Sequence, residues 1–465
     1  MRKPAHSAKS CGRARQRRQF FLNCLSVLLG VVLSAAAARS AAAQALPAAE
    51  ASPISTGFSL PVTSGSLTYA LSASETVNWG FFSNSTETES TNVSGDLGYI
   101  SNSKRDPFSA LLSGGHSFGT GGQPNYNFAS AGLSQVIAVK HWTYVLSDNV
   151  SYLPESPAIG FGGLPGLGDI GISPVLLGVI PTSTIAPASQ GVLTNYATRV
   201  DNSASGSFSR DFTAKTSLRG SAAYVIQRFP LDSPLPQNSG LDSNGITGGG
   251  GIFHAYTPRT TIGGNFEYSD YSFVGHTHGI TAPDFKTQTA TLNFQHQYTR
   301  KFLLNAAGGP QWTTIELGTN STSLDVFVNV GATYKGERTA STLTFVRSTN
   351  AGYGVIGGAR SNSVSYMGTR KFGGGLWAGS LDASYSDTKS LATSLLPSYQ
   401  FHTGVVGVQV TRALPHSLSA FASYSLQSQS NHGAFLTLLD AFSGRYQSLA
   451  FGITYSPMPI HLGGR

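Results

Sequence analysis

The sequence predicts an all-β protein: a transmembrane, antiparallel up-and-down β-barrel of about 18 strands, with 16 to 20 allowed by the strand boundaries. Three observations predict this fold class. An export signal opens the chain, apolar side chains recur at every second residue in many segments, and short basic turns alternate with long Gly- and Ser-rich connections.

The N-terminal residues 1–45 have the three parts of a secretory signal peptide. Basic residues up to Arg18 are followed by an apolar stretch from Phe20 to Leu33 and by small residues that end in Ala43-Gln44-Ala45. The apolar stretch is too short to span a membrane as a helix. We therefore expect a cleaved signal peptide, followed by a periplasmic N-terminal segment at 46–65.

This segment accounts for the basic character of the chain. The full sequence has 30 Lys and Arg and 22 Asp and Glu, and residues 1–45 hold eight of the basic and none of the acidic residues. The remainder is formally neutral, and its basic residues are dispersed, so a nucleic-acid footprint is not predicted. Both cysteines, Cys11 and Cys24, also lie in the signal, so the exported chain is expected to lack disulfides.

Period-two segments predict strands with one apolar face. In TSLDVFVNVGATYK (Thr322–Lys335) apolar residues alternate with Ser, Asp, Asn and Thr, and the same alternation occurs in Thr289–Thr299, His416–Gln429 and Gln447–Pro457. Only 11% of residues are charged, against roughly a quarter in an average globular domain. The polar faces therefore differ from the charged, solvated faces of soluble β-sandwiches.

Short turns and long connections alternate strictly along the chain. Eight turns and nine connections imply 18 strands over about 66–457, with both ends of the barrel domain on the turn side. The longest connection, 153–191, is the third. The turns are Ser101–Pro107, Val139–Trp142, Ser209–Lys215, Tyr256–Thr260, Tyr298–Phe302, Tyr334–Thr339, Thr369–Gly375 and Thr411–Ser417.

An even strand number, an apolar outer face and short turns opposite long connections are typical of outer-membrane barrels. A sheet that spans a membrane must close so that all of its backbone groups are hydrogen-bonded. Charges that face lipid are costly, and most charges here fall at turns or on the predicted inner face. The alternative is a soluble β-propeller or β-solenoid, which would show a fixed-length repeat that this sequence lacks.

On these features the chain resembles Gram-negative outer-membrane β-barrel proteins of the porin-like class, without a motif that assigns a subfamily. The resemblance implies a bacterial outer-membrane location, contact with outer-membrane lipids, insertion by the barrel-assembly machinery and external long connections. It also implies a homo-oligomer, since porins are often trimers, although no strand is apolar enough to nominate an interface. One departure is that Tyr455 is followed by SPMPIHLGGR, so 458–465 is expected to be a C-terminal tail and the usual terminal aromatic signal would be internal or degenerate.

A barrel of this strand number is wide enough to hold an aqueous channel. Inward-facing polar residues would line a diffusion pathway and their charges would tune its selectivity; the alternative is a lumen plugged by loops. The candidate pore-lining or constriction residues are Glu155, Asp169, Arg199, Asp201, Arg219, Glu267, Asp325 and Asp382.

The stretch FGGLPGLGDIGISPVLLGVI (Phe161–Ile180) is apolar and rich in Gly and Pro, within the third external connection. In porins the third loop commonly folds into the lumen. We therefore hypothesise an inward constriction in which Asp169 and Glu155 face Arg199 and Arg219. An external cap or a partner-binding loop remains the alternative.

Signals for catalysis or cofactors are weak, so the sequence predicts a protein that is not an enzyme and binds no cofactor. His276 and His278 lie in a predicted loop without further metal ligands, and Gly248–Gly251 opens no helix as a phosphate-binding loop would. The expected function is passive or selective diffusion of small hydrophilic solutes. The alternatives are a structural, surface-interaction or envelope-export barrel and, third, a barrel hydrolase, which would need a Ser–His or Asp–His constellation.

Overall fold

The computed structural model describes residues 65–80, 87–103, 106–120, 125–155, 197–229, 242–274, 282–316, 320–352, 357–391, 398–432 and 443–462. All of them belong to one compact unit, Ile54–Arg465. The strands within these ranges are β1 (Gly65–Trp79), β2 (Thr88–Ser101), β3 (Phe108–Thr120), β4 (Tyr126–Val139), β5 (Trp142–Glu155), β6 (Ala197–Asp211), β7 (Thr216–Arg228), β8 (Asp242–Thr257), β9 (Thr260–Val274), β10 (Asp284–Thr299), β11 (Phe302–Glu316), β12 (Ser321–Lys335), β13 (Thr339–Asn350), β14 (Ala359–Phe372), β15 (Trp377–Ser390), β16 (Gln400–Leu414), β17 (Leu418–His432), β18 (Gly444–Tyr455) and β19 (Ile460–Leu462).

The strands form one closed sheet in which each of the 18 long strands is antiparallel to its neighbours. β1 pairs with β2 on one side and with β18 on the other, which closes the barrel. The predicted all-β up-and-down barrel of 18 strands is therefore confirmed. The short β19 lies within the expected tail at 458–465 and pairs with Gly65–Leu67 of β1, so it extends the β18 side of the closing seam.

Turns and connections alternate between the two ends of the barrel as the sequence predicts. The shortest turns have two residues, as at Lys140–His141, where Lys140 adopts a left-handed φ of 54° that lets the chain reverse tightly. We call the two ends of the barrel the turn end and the connection end. The third connection separates β5 from β6, and residues 156–196 lie outside the described residues.

The glycine run Gly248–Gly251 lies inside β8. A Cβ atom at Gly251 would lie 2.2 Å from the carbonyl oxygen of Gly264 on β9, closer than any side chain tolerates. Glycine thus permits the close approach of the two backbones.

Helical structure among the described residues is confined to a single 3-10 turn at Gly373–Gly375, between β14 and β15. None of the described helices is long and apolar enough to cross a membrane.

Candidate functional site

The two faces of the sheet differ as the period-two pattern predicts. On β12, the side chains of Leu324 and Val326 are 65% and 53% exposed, whereas that of Asp325 between them is only 11% exposed. Exposed apolar side chains occupy the same face on other strands, for example Leu292 on β10 and Phe451 on β18. Side chains crowd together on the concave inner face of a closed barrel and spread apart on its convex outer face, so the more exposed apolar face is the outer one.

The inner face is held together by hydrogen bonds between small polar side chains of neighbouring strands. The hydroxyl oxygens of Ser72 and Thr454 lie 2.8 Å apart across the closing seam. Elsewhere on this face the Thr403 hydroxyl donates to the Gln429 side chain at 2.7 Å. Such pairs satisfy polar groups that the barrel wall shields from bulk water, and they leave the inner wall hydrophilic.

A cross-strand row of polar residues spans four neighbouring strands on this inner face. Strand register aligns Glu267 of β9, Thr289 of β10, Gln311 of β11 and Asp325 of β12. The Gln311 amide donates to the Thr289 hydroxyl at 3.1 Å. Since neighbouring strands lie about 4.8 Å apart, the two carboxylates at the ends of the row are separated by roughly 14 Å.

Asp325 is the centre of an ion-pair cluster with two arginines from the next two strands. Its Oδ1 accepts from Arg347 of β13 at 2.7 Å and from the Val326 backbone N–H at 2.7 Å, and its Oδ2 lies 3.1 Å from Nε of Arg360 on β14. Arg360 also donates to the Ser323 hydroxyl on β12 at 2.7 Å. We call Asp325, Arg347 and Arg360 the Asp325 clasp.

The clasp lies where the ladder between β12 and β13 stops. The two strands are paired from Lys335–Ala340 as far as Val328–Arg347, although β12 continues to Ser321 and β13 to Asn350. In place of a ladder bond to β12, the Thr349 backbone N–H donates to the Gln311 side chain on the inner face of β11 at 3.1 Å. The connection end of β13 therefore lies inside the wall that β11 and β12 form.

An apolar cluster covers the inner face of β9–β11 at the connection end. Phe285 of β10 is fully buried, and its ring stacks on Tyr271 of β9 with centroids 4.8 Å apart. Ile315 of β11 and Leu391, just beyond β15, complete the buried part of the cluster. Leu391 follows β15, which lies five positions around the sheet from β10, so the chain beyond β15 extends into the lumen to make this contact.

Gly358, immediately before β14, packs against the same cluster. A Cβ atom there would lie 2.7 Å from Leu391 and 2.8 Å from Phe285, and its φ of 85° is one that only glycine adopts readily. The ends of β13, β14 and β15 thus cover part of the inner face of β9–β11 at the connection end.

A closed barrel with an apolar outside and a hydrophilic inside is now established from the geometry. The fold is a closed antiparallel β-barrel of 18 long strands. No model of a protein family matches the chain, and no curated protein matches it.

Solved structures with similar folds include three from Pseudomonas. The chain matches OccK2 (OpdF) of Pseudomonas aeruginosa with 12% identity and a TM-score of 0.40, over 86% of this chain and 98% of that one. It matches OpdQ of the same organism with 12% identity and a TM-score of 0.41, over 85% and 99% of the two chains. A BenF-like porin from Pseudomonas fluorescens Pf-5 matches with 12% identity and a TM-score of 0.42, over 85% and 99%.

Two of the predicted site residues are brought together near the connection end of the barrel. Arg199 pairs with Asp201 on β6, with Nε and Oδ2 2.5 Å apart, and Gln227 of β7 donates to Asp201 at 3.2 Å. Arg219 lies elsewhere: it is level with Ser209 of β6 and its guanidinium lies 4.7 Å from the Phe253 ring centre.

Arg199 and Arg219 are separated by most of the barrel height. Ser209, the register partner of Arg219, lies ten positions along β6 from Arg199, which corresponds to roughly 33 Å along the strand. A single constriction at one level could therefore face only one of the two arginines. The hypothesised facing partner Asp169 lies outside the described residues, as does the side chain of Glu155, so their placement stays a prediction.

Glu267 and Asp382 project from the inner face without an ion-pair partner among the described residues. Glu267 is the middle residue of β9, and Asp382 on β15 is the register partner of Met367 on β14. Both carboxylates thus face the lumen away from either end of the barrel. His276 and His278 lie outside the described residues, and in the described ranges no three His, Cys, Asp or Glu side chains are grouped to hold a metal ion.

Sequence reasoning did not identify the two arginines of the clasp. In the alternating pattern of β13, Arg347 occupies a position whose side chain should face outward among apolar residues. A charge on an apolar face needs a partner, and this was the signal available in the sequence. Sequence reasoning also missed two carboxylates on the outer face. Glu75 accepts from Thr91 at 2.8 Å and Asp148 accepts from Asn202 at 2.9 Å, so each has a polar neighbour on the adjacent strand.

Proposed function

We propose that this protein is a non-enzymatic channel for the passive or selective diffusion of small hydrophilic solutes across the bacterial outer membrane. One observation carries the proposal: side chains on the inner face of the closed barrel are exposed to solvent. Met367, on the inner face of β14, is 58% exposed, and Glu267 and Gln295 are exposed on β9 and β10. A lumen filled by packed side chains would bury them.

Strand number supports the same proposal. Barrels of about eight strands are filled by their own side chains, whereas those of 16 to 18 strands leave a water-filled passage. The inner wall offers hydroxyl and amide groups, which can replace water around a hydrophilic solute as it passes.

The apolar side chains of the outer face support the proposed location in the outer membrane. They would be poorly placed in water but are well placed against lipid hydrocarbon. We propose cleavage of the signal peptide at residue 45, a periplasmic segment at 46–65, assembly by the barrel-assembly machinery and a homo-oligomeric state. The connections would face outward, so proteolysis of intact cells should cut within 153–191 and 429–444 and spare the short turns.

Reconstitution of the purified protein in planar lipid bilayers tests the channel. We expect stepwise single-channel conductance from protein whose folding is verified by its heat-modifiable migration in gels. Met367→Trp should lower this conductance because it adds volume to the lumen, and the matched control Tyr366→Trp, one residue along β14 on the outer face, should leave it unchanged. Folded protein without conductance would overturn the proposal and favour a structural or surface-interaction barrel.

A further inference from the structure

The ends of β13 and β14 are displaced into the lumen. Two contacts cross the break in the ladder, and each joins strands that are two positions apart. The Thr349 backbone of β13 reaches the Gln311 side chain of β11, and Arg360 of β14 reaches Ser323 of β12. Backbones two strands apart in one wall are separated by about 9.6 Å, which the shorter Gln311 side chain does not span to reach the Thr349 N–H. This part of β13 therefore overlaps the inner face of β11 and β12, and β14, which stays paired with β13 as far as Asn350–Ala359, overlaps it too.

This overlap is fixed mainly by polar contacts to one carboxylate. Across the unpaired stretch, the ladder hydrogen bonds of β12 to β13 are replaced by the ion pairs of Arg347 and Arg360 with Asp325. Arg347 and the backbone N–H of Val326 both donate to Oδ1 of Asp325, which orients the carboxylate, and Arg360 is held by its charge at 3.1 Å. Charge-assisted hydrogen bonds of this kind are about twice as strong as neutral ones.

The overlap also determines how wide the lumen is at the connection end. Beyond Asn350 the chain passes to Gly358, which packs on Phe285 and Leu391 over the inner face of β9–β11. Any outward movement of β13 and β14 would withdraw this cover and enlarge the passage.

We infer that Asp325 is a positioning residue that sets the aperture of the barrel at its connection end, by holding β13 and β14 inside the wall through Arg347 and Arg360. The effect of Asp325 on the width of a passage rests on the proposed channel function. The claim that Asp325 holds β13 and β14 inside the wall does not depend on it. It assigns the constriction to the clasp and to the ends of β13–β15, independently of the third connection.

Thr313 reports the overlap directly. It lies on the inner face of β11, is fully buried, and is the register partner of Ser323, which Arg360 contacts. The sequence has cysteine only at positions 11 and 24, so Thr313→Cys in a Cys11→Ser/Cys24→Ser background gives a single reactive thiol. A charged methanethiosulfonate should modify this thiol slowly while the clasp is intact.

Asp325→Asn should speed the modification of Thr313→Cys by about tenfold. A tenfold change corresponds to about 1.4 kcal/mol of lost stabilisation of the overlap. Asp325→Glu should restore slow modification because it keeps the charge. The matched control is Asp382→Asn, which removes one inner-face carboxylate but no ion pair formed by the described residues, and it should leave the rate unchanged. Equal rates in Asp325→Asn and Asp382→Asn would overturn the inference.

Arg360→Gln provides a second variant if Asp325→Asn yields no folded barrel. It leaves the pair between Asp325 and Arg347, so modification of the Thr313→Cys thiol should be faster than in the parent and slower than in Asp325→Asn. A rate equal to that of the parent would overturn the inference.

In bilayers, Asp325→Asn should conduct more than Asp382→Asn, and equal conductance would contradict a role in the aperture. A parent protein without conductance would instead refute the channel, while the thiol rates still test the clasp.

Discussion

Replacing Phe285 with Ala should destabilise the barrel more than the loss of any solvent-exposed apolar side chain on the same inner face. The Phe285 side chain is fully buried, stacks on Tyr271, lies 6.1 Å from the Phe273 ring centre and contacts the chain at Leu391. A buried Phe→Ala change removes about 3–5 kcal/mol through lost burial and the cavity that remains. Part of that loss comes from the aromatic pairs, at about 0.5–1.5 kcal/mol each.

Urea unfolding in detergent micelles, followed by tryptophan fluorescence, measures this free energy of unfolding. The control is Met367→Ala, because Met367 shares the inner face but is largely exposed, so its truncation should change stability by about 0.5 kcal/mol or less. A loss below about 1 kcal/mol for Phe285→Ala would refute the reasoning that Phe285 belongs to a tightly packed apolar cluster at the connection end.

Three further outcomes are expected. Glu267→Lys, a two-unit charge change on the lumen wall, should shift the permeability ratio toward anions by about fivefold in reversal-potential measurements. A unit charge roughly 8 Å from an ion in water contributes about 0.5 kcal/mol, salt at about 0.1 M roughly halves this by screening, and anion and cation respond in opposite directions. An unchanged ratio would place Glu267 off the ion path. Asp148→Leu should raise the free energy of urea unfolding in lipid by about 1 kcal/mol because the carboxylate lies on the outer face, and destabilisation would contradict that placement. Gly309→Val should lower stability by about 3 kcal/mol or more, since a Cβ atom at Gly309 would lie 1.9 Å from the Ala290 carbonyl oxygen; wild-type stability would show that the strands can part there.

Most of the fold could be predicted because a barrel repeats one local rule. Each strand reverses at a turn such as Lys140–His141, and each exposes apolar residues at every second position, as Leu324 and Val326 do. These are properties of short segments, so the strand number and the face of each side chain can be derived from the sequence alone. The same rule places Arg199, Asp201, Arg219, Glu267, Asp325 and Asp382 on the inner face.

The Asp325 clasp could not be predicted because it depends on how two strands fail to pair. Ser321–Phe327 alternates as regularly as any paired strand, and nothing in its sequence indicates that the ladder to β13 ends at Val328. Register and its interruptions are set by contacts between segments rather than within them. The partners Arg347 and Arg360 come from two different strands, so no spacing along the chain connects them to Asp325.

The closing seam joins residues that are far apart in the order of synthesis. Gly65 of β1 pairs with Leu462 of β19, and the Ser72 and Thr454 hydroxyls meet 382 positions apart in sequence. Every other long-strand pairing joins consecutive hairpin partners, so those ladders can form one after another while both edges of the growing sheet stay open. We therefore expect the seam to form last and slowly, because bringing its ends together carries the largest loop-closure entropy in the molecule. Until then, β1 and β18 would present unpaired edges, the state in which a folding barrel is most prone to aggregate and most needs to be shielded.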